Sequence, residues 1–307
     1  MILTVCLSPC IDVNIEVDSL NVGMSHKIIN KRVYYTGKAI NVAIGLARLK
    51  ADSFATGFMY EENGHQFEQE LHKEGIIYKF VWNEGRVMEN YKFIDHKSMM
   101  TEINDVSPEV SKQKQEELIE LLKHISPSCE AVVVSGSLAK GMSDSYYAEI
   151  LDAIPKNVKK IVDSEGDRLL KSLNCGVDLI KPNLDELERT LKRPMRTQED
   201  RLWGCKELIK RGAKYVLLSL GKNGAIITDG EKSYYSKSVN VAMNSTFGAG
   251  DSMVAAATLA LASGGTMKDI LRHGVAAGTA SVTTPDSMTF SKEKYEEILS
   301  ALTVEAI

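Results

Sequence analysis

The chain has 307 residues, 44% of them hydrophobic and 25% charged, with a formal net charge of −4. That composition is ordinary for a soluble globular protein and long enough for one large domain or two small ones. The charge excludes a general attraction to nucleic acid or anionic membranes, the opening MILTVCLSPC lacks the basic and apolar regions of a secretory signal, and no window approaches the roughly 20 apolar residues of a membrane span.

In chain order, IDVNIEVDSL at 11–20 alternates apolar and polar residues, as do parts of HKIINKRVYY at 26–35. NYKFIDHKSMMTEIN at 90–104 reads as two strands around a DHKS turn. Alternation fits a half-exposed antiparallel sheet, either a small sheet over a ligand cleft or edge strands of a larger one. From 116 onward the rhythm changes. Helical segments at about 116–125, 144–153, 184–191 and 199–211 alternate with apolar runs at 131–137, 159–166, 177–183 and 214–221. Strand, polar turn, helix in this order predicts a parallel α/β sheet covered on both faces. Ligands in such sheets bind beyond the carboxyl ends of the strands, where every one of these polar turns lies. The five cysteines are scattered and odd in number, which suits reduced core thiols and no zinc pattern.

The most informative stretch is NSTFGAGDSMVAA at 244–256. It is neither a dinucleotide fingerprint, which needs a third glycine, nor a Walker A loop. The run DSMVAAATLALAS is helix-prone and stops at Gly264 and Gly265, so Gly248, Ala249 and Gly250 fall at a helix start. Unpaired amides and the positive end of the helix dipole favour an anion there. Asp251 falls in the first turn. It is either a helix cap or a general base beside an anion hole, and the second reading suits phosphoryl transfer to an alcohol.

The chain resembles the PfkB, or ribokinase-like, carbohydrate kinases over almost its whole length. NSTFGAGDSMVAA is similar to their C-terminal signature and TGKAINVAIGLARL at 36–49 to their N-terminal one. SGSLAKG, IVDSEGDRL, KPNLDEL, SLGKNGA and VAAGTASVTTP follow in the family's order. The opening TVCLSPCIDVNIEVD resembles the branch that holds 1-phosphofructokinases and tagatose-6-phosphate kinases. The resemblance implies a ribokinase-like α/β fold over residues 1–307 as a single kinase domain. Its central, mostly parallel sheet would be flanked by helices, with a small β-sheet lid from about 11–35 and 86–104 that often makes homodimer contacts. It implies ATP with Mg2+ as donor, a sugar as acceptor, no nucleic-acid or membrane partner, and a cytoplasmic enzyme. By the same resemblance Asp251 is the base, and Gly248, Ala249 and Gly250 form the anion hole. Asn183 and Glu186 lie near magnesium and the phosphates, and Lys181, Ser219, Gly221 and Gly224 belong to the nucleotide side. Asp163 either positions phosphates or merely ends a strand. The HGVAAGTASV helix would pack against adenine. Asp12, Gly37, Lys38 and Asn41 are implied sugar contacts, and Ser137 lies near an acceptor phosphate.

The departures cluster on the acceptor side. The branch usually carries T-R-x-N-x-K on the lid, where this chain has VMENYK at 87–92. Met88 takes the arginine's place while Asn90 and Lys92 persist. Methionine cannot form the forked phosphate contact of arginine. Arg86, two residues earlier, would share a strand face with Met88 and could replace the missing fork. Thr36 and Ala39 replace glycines of the usual G-G-K-G, Ser8 replaces an asparagine, and SGSLAKG adds Lys140. The expected acceptor is a ketohexose phosphate of the fructose-1-phosphate or tagatose-6-phosphate type. The alternatives are an unphosphorylated sugar, a nucleoside bound by Tyr34, Tyr35 and Tyr91, or sugar binding without turnover.

Overall fold

The protein is described by a computed structural model at residues 1–97, 99–244, 247–284 and 289–307. Ser98 of the expected turn, Ser245 and Thr246 of the C-terminal signature, and Pro285 lie outside the described residues. The chain runs β1 (Ile2–Cys6), β2 (Cys10–Val17), β3 (Ile28–Thr36), α1 (Lys38–Arg48), β4 (Ser53–Tyr60), α2 (His65–Lys73), β5 (Ile77–Asn83), β6 (Met88–Ile94) and β7 (Met100–Ile103). It continues with α3 (Lys112–Ile125), β8 (Ala131–Ser135), α4 (Tyr146–Asp152), β9 (Lys159–Asp163), α5 (Gly166–Leu173), β10 (Val177–Ile180), α6 (Leu184–Leu191) and α7 (Gln198–Lys210). The last elements are β11 (Ala213–Ser219), β12 (Ala225–Thr228), β13 (Ser233–Ser236), α8 (Ala249–Ala262), α9 (Met267–Thr283), α10 (Lys292–Ala301) and β14 (Glu305–Ala306).

The main sheet has ten strands in the order β14-β13-β12-β11-β10-β9-β8-β1-β4-β5. From β11 to β5 all neighbours are parallel, whereas β12, β13 and β14 are antiparallel additions at one edge. The central strands are continuous apolar runs because both faces are covered: every residue of β1 and of β8 is buried. The chain leaves β1 for β4 and β5 on one side, then returns to β8, β9 and β10 on the other. The reversal between β1 and β8 is a topological switch point, where loops diverge and open a crevice.

The alternating segments form a separate four-stranded sheet, β3-β2-β6-β7, rather than edges of the large one. In β2 the odd residues Ile11, Val13 and Ile15 are buried on one face, and Cys10 and Asp12 are buried on the other. β2 pairs parallel to β6, with Asp12 opposite Asn90 and Asn14 opposite Lys92, so the polar residues of both strands share a face.

Three helices bring the glycine motif to the core. α8 is buried nearly all round, which its small, apolar sequence AGDSMVAAATLALA permits. α1 crosses it where a Cβ on Gly45 would come within 2.9 Å of Ala255 Cβ. On α9, Gly274 and Gly278, one turn apart, allow a similar approach to Met253 and the Ala249 carbonyl. Gly45→Val is expected to force α1 and α8 apart and to lower stability by about 1–3 kcal/mol, measured by urea unfolding. Turnover should fall with it, since the two helices carry facing polar residues.

Candidate active site

Every sequence-expected donor-side residue sits at the carboxyl edge of the parallel strands or just beyond it. Asp163 ends β9, Lys181 follows β10, and Ser219 ends β11. Ser135, at the end of β8, pairs in register with Asp163 and donates its hydroxyl to Asp163 Oδ2 at 3.0 Å. Asp163 is fully buried and carries two ion pairs, Lys181 at 3.3 Å and Lys38 at 3.4 Å. Burial by itself would raise this carboxyl, but Lys181, Lys38 and Ser135 overcome it and hold it below its usual range. Asp163 does more than end its strand: it joins two lysines 143 positions apart in the sequence.

Asp251 lies in the first turn of α8, whose N-cap is Gly248 at φ 72°, a left-handed conformation that glycine adopts without strain. The first intrahelical donor is Ser252, which reaches the Gly248 carbonyl at 2.8 Å. The amides of Ala249, Gly250 and Asp251 precede it in the first turn, where a helix supplies no intrahelical acceptor for its N–H groups. Lys181 is directed at the same place, since a Cβ on Gly250 would lie 3.4 Å from its Nζ. Asp251 makes no side-chain cap. Its Oδ2 accepts a 2.8 Å hydrogen bond from Asn41 Nδ2 on α1. Burial, and then the nearby Asp163 charge, push its carboxyl up from 3.8 to about 6, against the opposing pull of Asn41, Lys38 and Lys181. The group is thus ionised at neutral pH and more basic than a solvated carboxylate.

Gly37 caps the start of α1, and its carbonyl accepts from the Asn41 N–H at 2.9 Å. Lys38 begins the helix and also approaches Glu186 Oε1, at 3.7 Å. Asn183 and Glu186 form a reciprocal capping box at the start of α6, each side chain accepting from the other's backbone N–H at 2.8 Å. The helix-start reading of this pair therefore holds, while Glu186 also turns its second oxygen to Lys38. Among the described residues no group of three or more His, Cys, Asp or Glu is placed to hold a metal ion.

The small sheet faces this cluster. Lys92 Nζ pairs with Asp12 Oδ2 at 2.9 Å, and both side chains are buried. Asn90 Nδ2 approaches Asp12 Oδ1 at 3.4 Å and Cys10 Sγ at 3.0 Å. Burial and the Asp12 carboxylate push the Cys10 thiol up, so it stays protonated and donates to Asp12. Lys92 also lies 3.9 Å from the centroid of the Phe247 ring, the residue before Gly248, which ties the small sheet to the glycine turn. Nothing in the sequence singled out Phe247 or Ser135. Their roles arise from contacts between distant segments.

Arg86 is placed otherwise than expected. The strand begins only at Met88, and the exposed Arg86 guanidinium is engaged by Glu89, which points to the opposite face from Asn90 and Lys92. Met88 is instead approached by the Ser8 hydroxyl. Ser137 is exposed in the turn after β8, next to Gly136, which packs against Lys38. The exposed Lys140 hydrogen-bonds through its carbonyl to Val110 N. The three tyrosines form no common patch: Tyr34 pairs with Asp12, whereas Tyr35 and Tyr91 pair with Ile11 and Val13 and lie on the other face.

A cavity of about 480 Å³ adjoins the glycine turn. It is lined by Ser219, Gly221 and Gly224 on one side, by Ala249 and Gly250 at its base, and by Val275 and Thr279 of α9, among others. The GKNG turn is also the hairpin joining antiparallel β11 and β12. Gly224 has φ 88°, and a Cβ there would lie 1.9 Å from the Ser236 carbonyl oxygen, so no other residue fits. The Ser238–Val241 segment also lines the cavity, and its sequence carries no signal of that role.

A cavity of nucleoside size, helix-start amides and a lysine at its inner end, and a buried carboxylate beyond them define a phosphotransferase. Residues 1–294 match the pfkB family carbohydrate kinases. The chain belongs to that family. It is 32% identical to a 1-phosphofructokinase of Borreliella burgdorferi and 32% identical to a D-tagatose-1-phosphate kinase of Bacillus licheniformis, in each case over 91% of both chains. Phosphofructokinase-2 of Escherichia coli, solved with substrates and products, superimposes with a TM-score of 0.91 at 27% identity over 98% of both chains. Its tetrameric inhibited form gives 0.89 at 26% identity, again over 98% of both.

The raised Asp251 carboxyl has a measurable consequence. The folded state holds this proton more tightly than the unfolded chain does, so stability falls as pH rises from about 4 to 6 and the loss is complete above that. Asp251→Asn is expected to stabilise the fold at pH 7.5 by about 1–3 kcal/mol, with the gain vanishing below about pH 4. Urea melts at the two pH values measure it, and an unchanged or lower midpoint at pH 7.5 would contradict it.

Proposed function

We propose that the protein transfers the γ-phosphoryl group of MgATP to a primary hydroxyl of a ketohexose phosphate. The observation that carries this reading is Asp251, buried at the start of α8 and fixed by Asn41 next to the Gly250 turn and Lys181. Asp251 takes the proton from the attacking hydroxyl. The amides of Ala249 and Gly250 and the Lys181 ammonium offset the negative charge of the transferring group, where catalysis is mostly positioning and electrostatics. ATP lies in the 480 Å³ cavity with its adenosine between the GKNG turn and α9. Magnesium comes with the nucleotide. Bound with the nucleotide, it would supply charge neutralisation to the phosphates, and Asn183 and Glu186 at the start of α6 would lie at its periphery.

The acceptor binds under the small sheet, which acts as a lid. Asp12 accepts from two sugar hydroxyls, and Asn90, Lys92, Lys38 and the Gly37 turn complete the pocket. Lid closure excludes water and so limits futile hydrolysis of ATP. Ser137 and Lys38 take the acceptor phosphate, since Met88 cannot and Arg86 is engaged elsewhere. Met88 also supports a second reading, a sugar without a phosphate at the lid end. An ATP-consumption assay with magnesium separates them. Fructose-1-phosphate, tagatose-1-phosphate, tagatose-6-phosphate and fructose-6-phosphate are compared with free hexoses, ribose and nucleosides. Strong turnover on one ketohexose phosphate is expected, and Asp251→Asn should lower it by about 10²-fold or more. Turnover confined to unphosphorylated acceptors would overturn the first reading.

The lid also joins two copies of the chain. Ten of the fourteen exposed large hydrophobic residues among those described lie at 20–33 and 99–106, on its edge strands β3 and β7 and the adjoining loops. Open strand edges with apolar side chains are covered by pairing or burial. A dimer is expected in sedimentation at micromolar concentration, and Val33→Asp with Ile103→Asp should give a folded monomer. A monomeric native protein would refute the contact.

A further inference from the structure

The family's glycine at the start of the N-terminal signature is Thr36 here, and its hydroxyl is not idle. Thr36 ends β3 with only 4% of its surface exposed, and its Oγ1 donates to Asn41 Oδ1 at 2.9 Å. The other end of the same amide donates from Nδ2 to Asp251 Oδ2 at 2.8 Å. All three side chains are buried. The chain Thr36–Asn41–Asp251 therefore joins the small sheet, α1 and α8 through two hydrogen bonds that run in one direction.

We propose that Thr36 is a positioning residue for phosphoryl transfer: its hydroxyl fixes the Asn41 side-chain amide with the N–H aimed at Asp251. An amide has one donor end and one acceptor end, and a half-turn about Cβ–Cγ exchanges them. In the exchanged orientation Asn41 Oδ1 would face a carboxylate oxygen, acceptor against acceptor. Glycine at position 36 would leave the buried Oδ1 without this donor and the amide less constrained. With Thr36 present the amide is held from both ends, so Asp251 Oδ2 is held too. Among the described side chains Asn41 is the donor to that carboxylate, through Oδ2. The charged and titratable groups that also act on Asp251 are Asp163, Lys38, Lys181 and Cys6, and none of them depends on Thr36.

This inference rests on Asp251 being the base, and the experiment separates the two. Rates are measured as a function of pH for the native enzyme, Thr36→Val, Thr36→Ser and Asp251→Asn, using the best acceptor of the panel. Thr36→Val keeps the shape and removes the donor. Its kcat should fall about 3–10-fold, the effect of one buried hydrogen bond. The KM values for ATP and acceptor should stay within about twofold, since the residue touches neither. The acid limb of kcat should move to higher pH, because the Asn41 bond that lowers the Asp251 carboxyl is loosened. Thr36→Ser should restore both kcat and the limb. Native kcat and limb in Thr36→Val, or a Ser variant as impaired as Val, would overturn the proposal. If Thr36→Val does not fold, Thr36→Ala against Thr36→Ser makes the same comparison. Full turnover in Asp251→Asn would instead remove the base on which it rests, whereas loss there with an unaffected Thr36→Val would overturn the positioning role alone.

Discussion

A carboxylate can be kept ionised inside a protein only if something there replaces the water it has lost. Asp251 is 7% exposed, and among the described side chains its hydrogen-bond donor is the Asn41 amide on a different helix. That contact needs α1 and α8 to approach more closely than ordinary side chains allow, and Gly45 against Ala255 provides the approach. Gly274 and Gly278 let α9 do the same from the other side. The small residues of the three helices are thus as much a part of the site as the polar ones. They set the distance at which the Asp251 carboxylate is solvated by protein, and the burial they create pushes its carboxyl up while the Asn41 bond opposes that rise.

The second constraint is charge. Asp163 is buried between Lys38 and Lys181, and Glu186 faces Lys38 from the next helix. Lys38 starts the helix that carries Asn41, and Lys181 leads to the glycine turn. One buried carboxylate therefore connects the start of α1 to the chain that follows β10, and removing it would strand two ammonium groups. A similar device closes the crevice from above. Lys92 neutralises Asp12 within the small sheet and stacks over Phe247 of the turn below. These contacts act on the polar face of the sheet, while Ile11, Val13 and Ile15 on its other face are buried in the main hydrophobic cluster.

Much of this is legible in the sequence. The alternation at 11–35 and 90–104 marks a two-faced sheet because its strands are wet or polar on one side. The buried runs at 131–135, 159–163 and 177–180 mark parallel strands because both their faces are covered. α6 matches its expected span because Asn183 and Glu186 announce its start in the sequence itself. The segments β4 and β5, by contrast, carry no comparable pattern. SFATGFMY is buried almost throughout and has neither the period of a helix nor the alternation of a half-exposed strand. Arg86 shows the limit from another direction. Its spacing from Met88 suggests a shared face, but the strand begins too late and a neighbouring carboxylate claims the side chain. The tyrosines fail as a patch for a related reason: only register decides which face each one takes.

By itself, the sequence determined the local chemistry. A glycine turn before a helix exposes amides, and an aspartate in its first turn has two plausible jobs, capping and proton transfer. In three dimensions Asp251 makes no side-chain cap and instead accepts a hydrogen bond from a residue 210 positions away, a contact no local pattern displays. The same holds for Thr36, a departure from pattern in the sequence and a hydrogen-bond donor in the fold. Propensity, periodicity and capping act over a few residues, so a sequence displays them directly. Burial, pairing of charges and the orientation of an amide are set by what packs alongside, and only the folded chain brings those neighbours together.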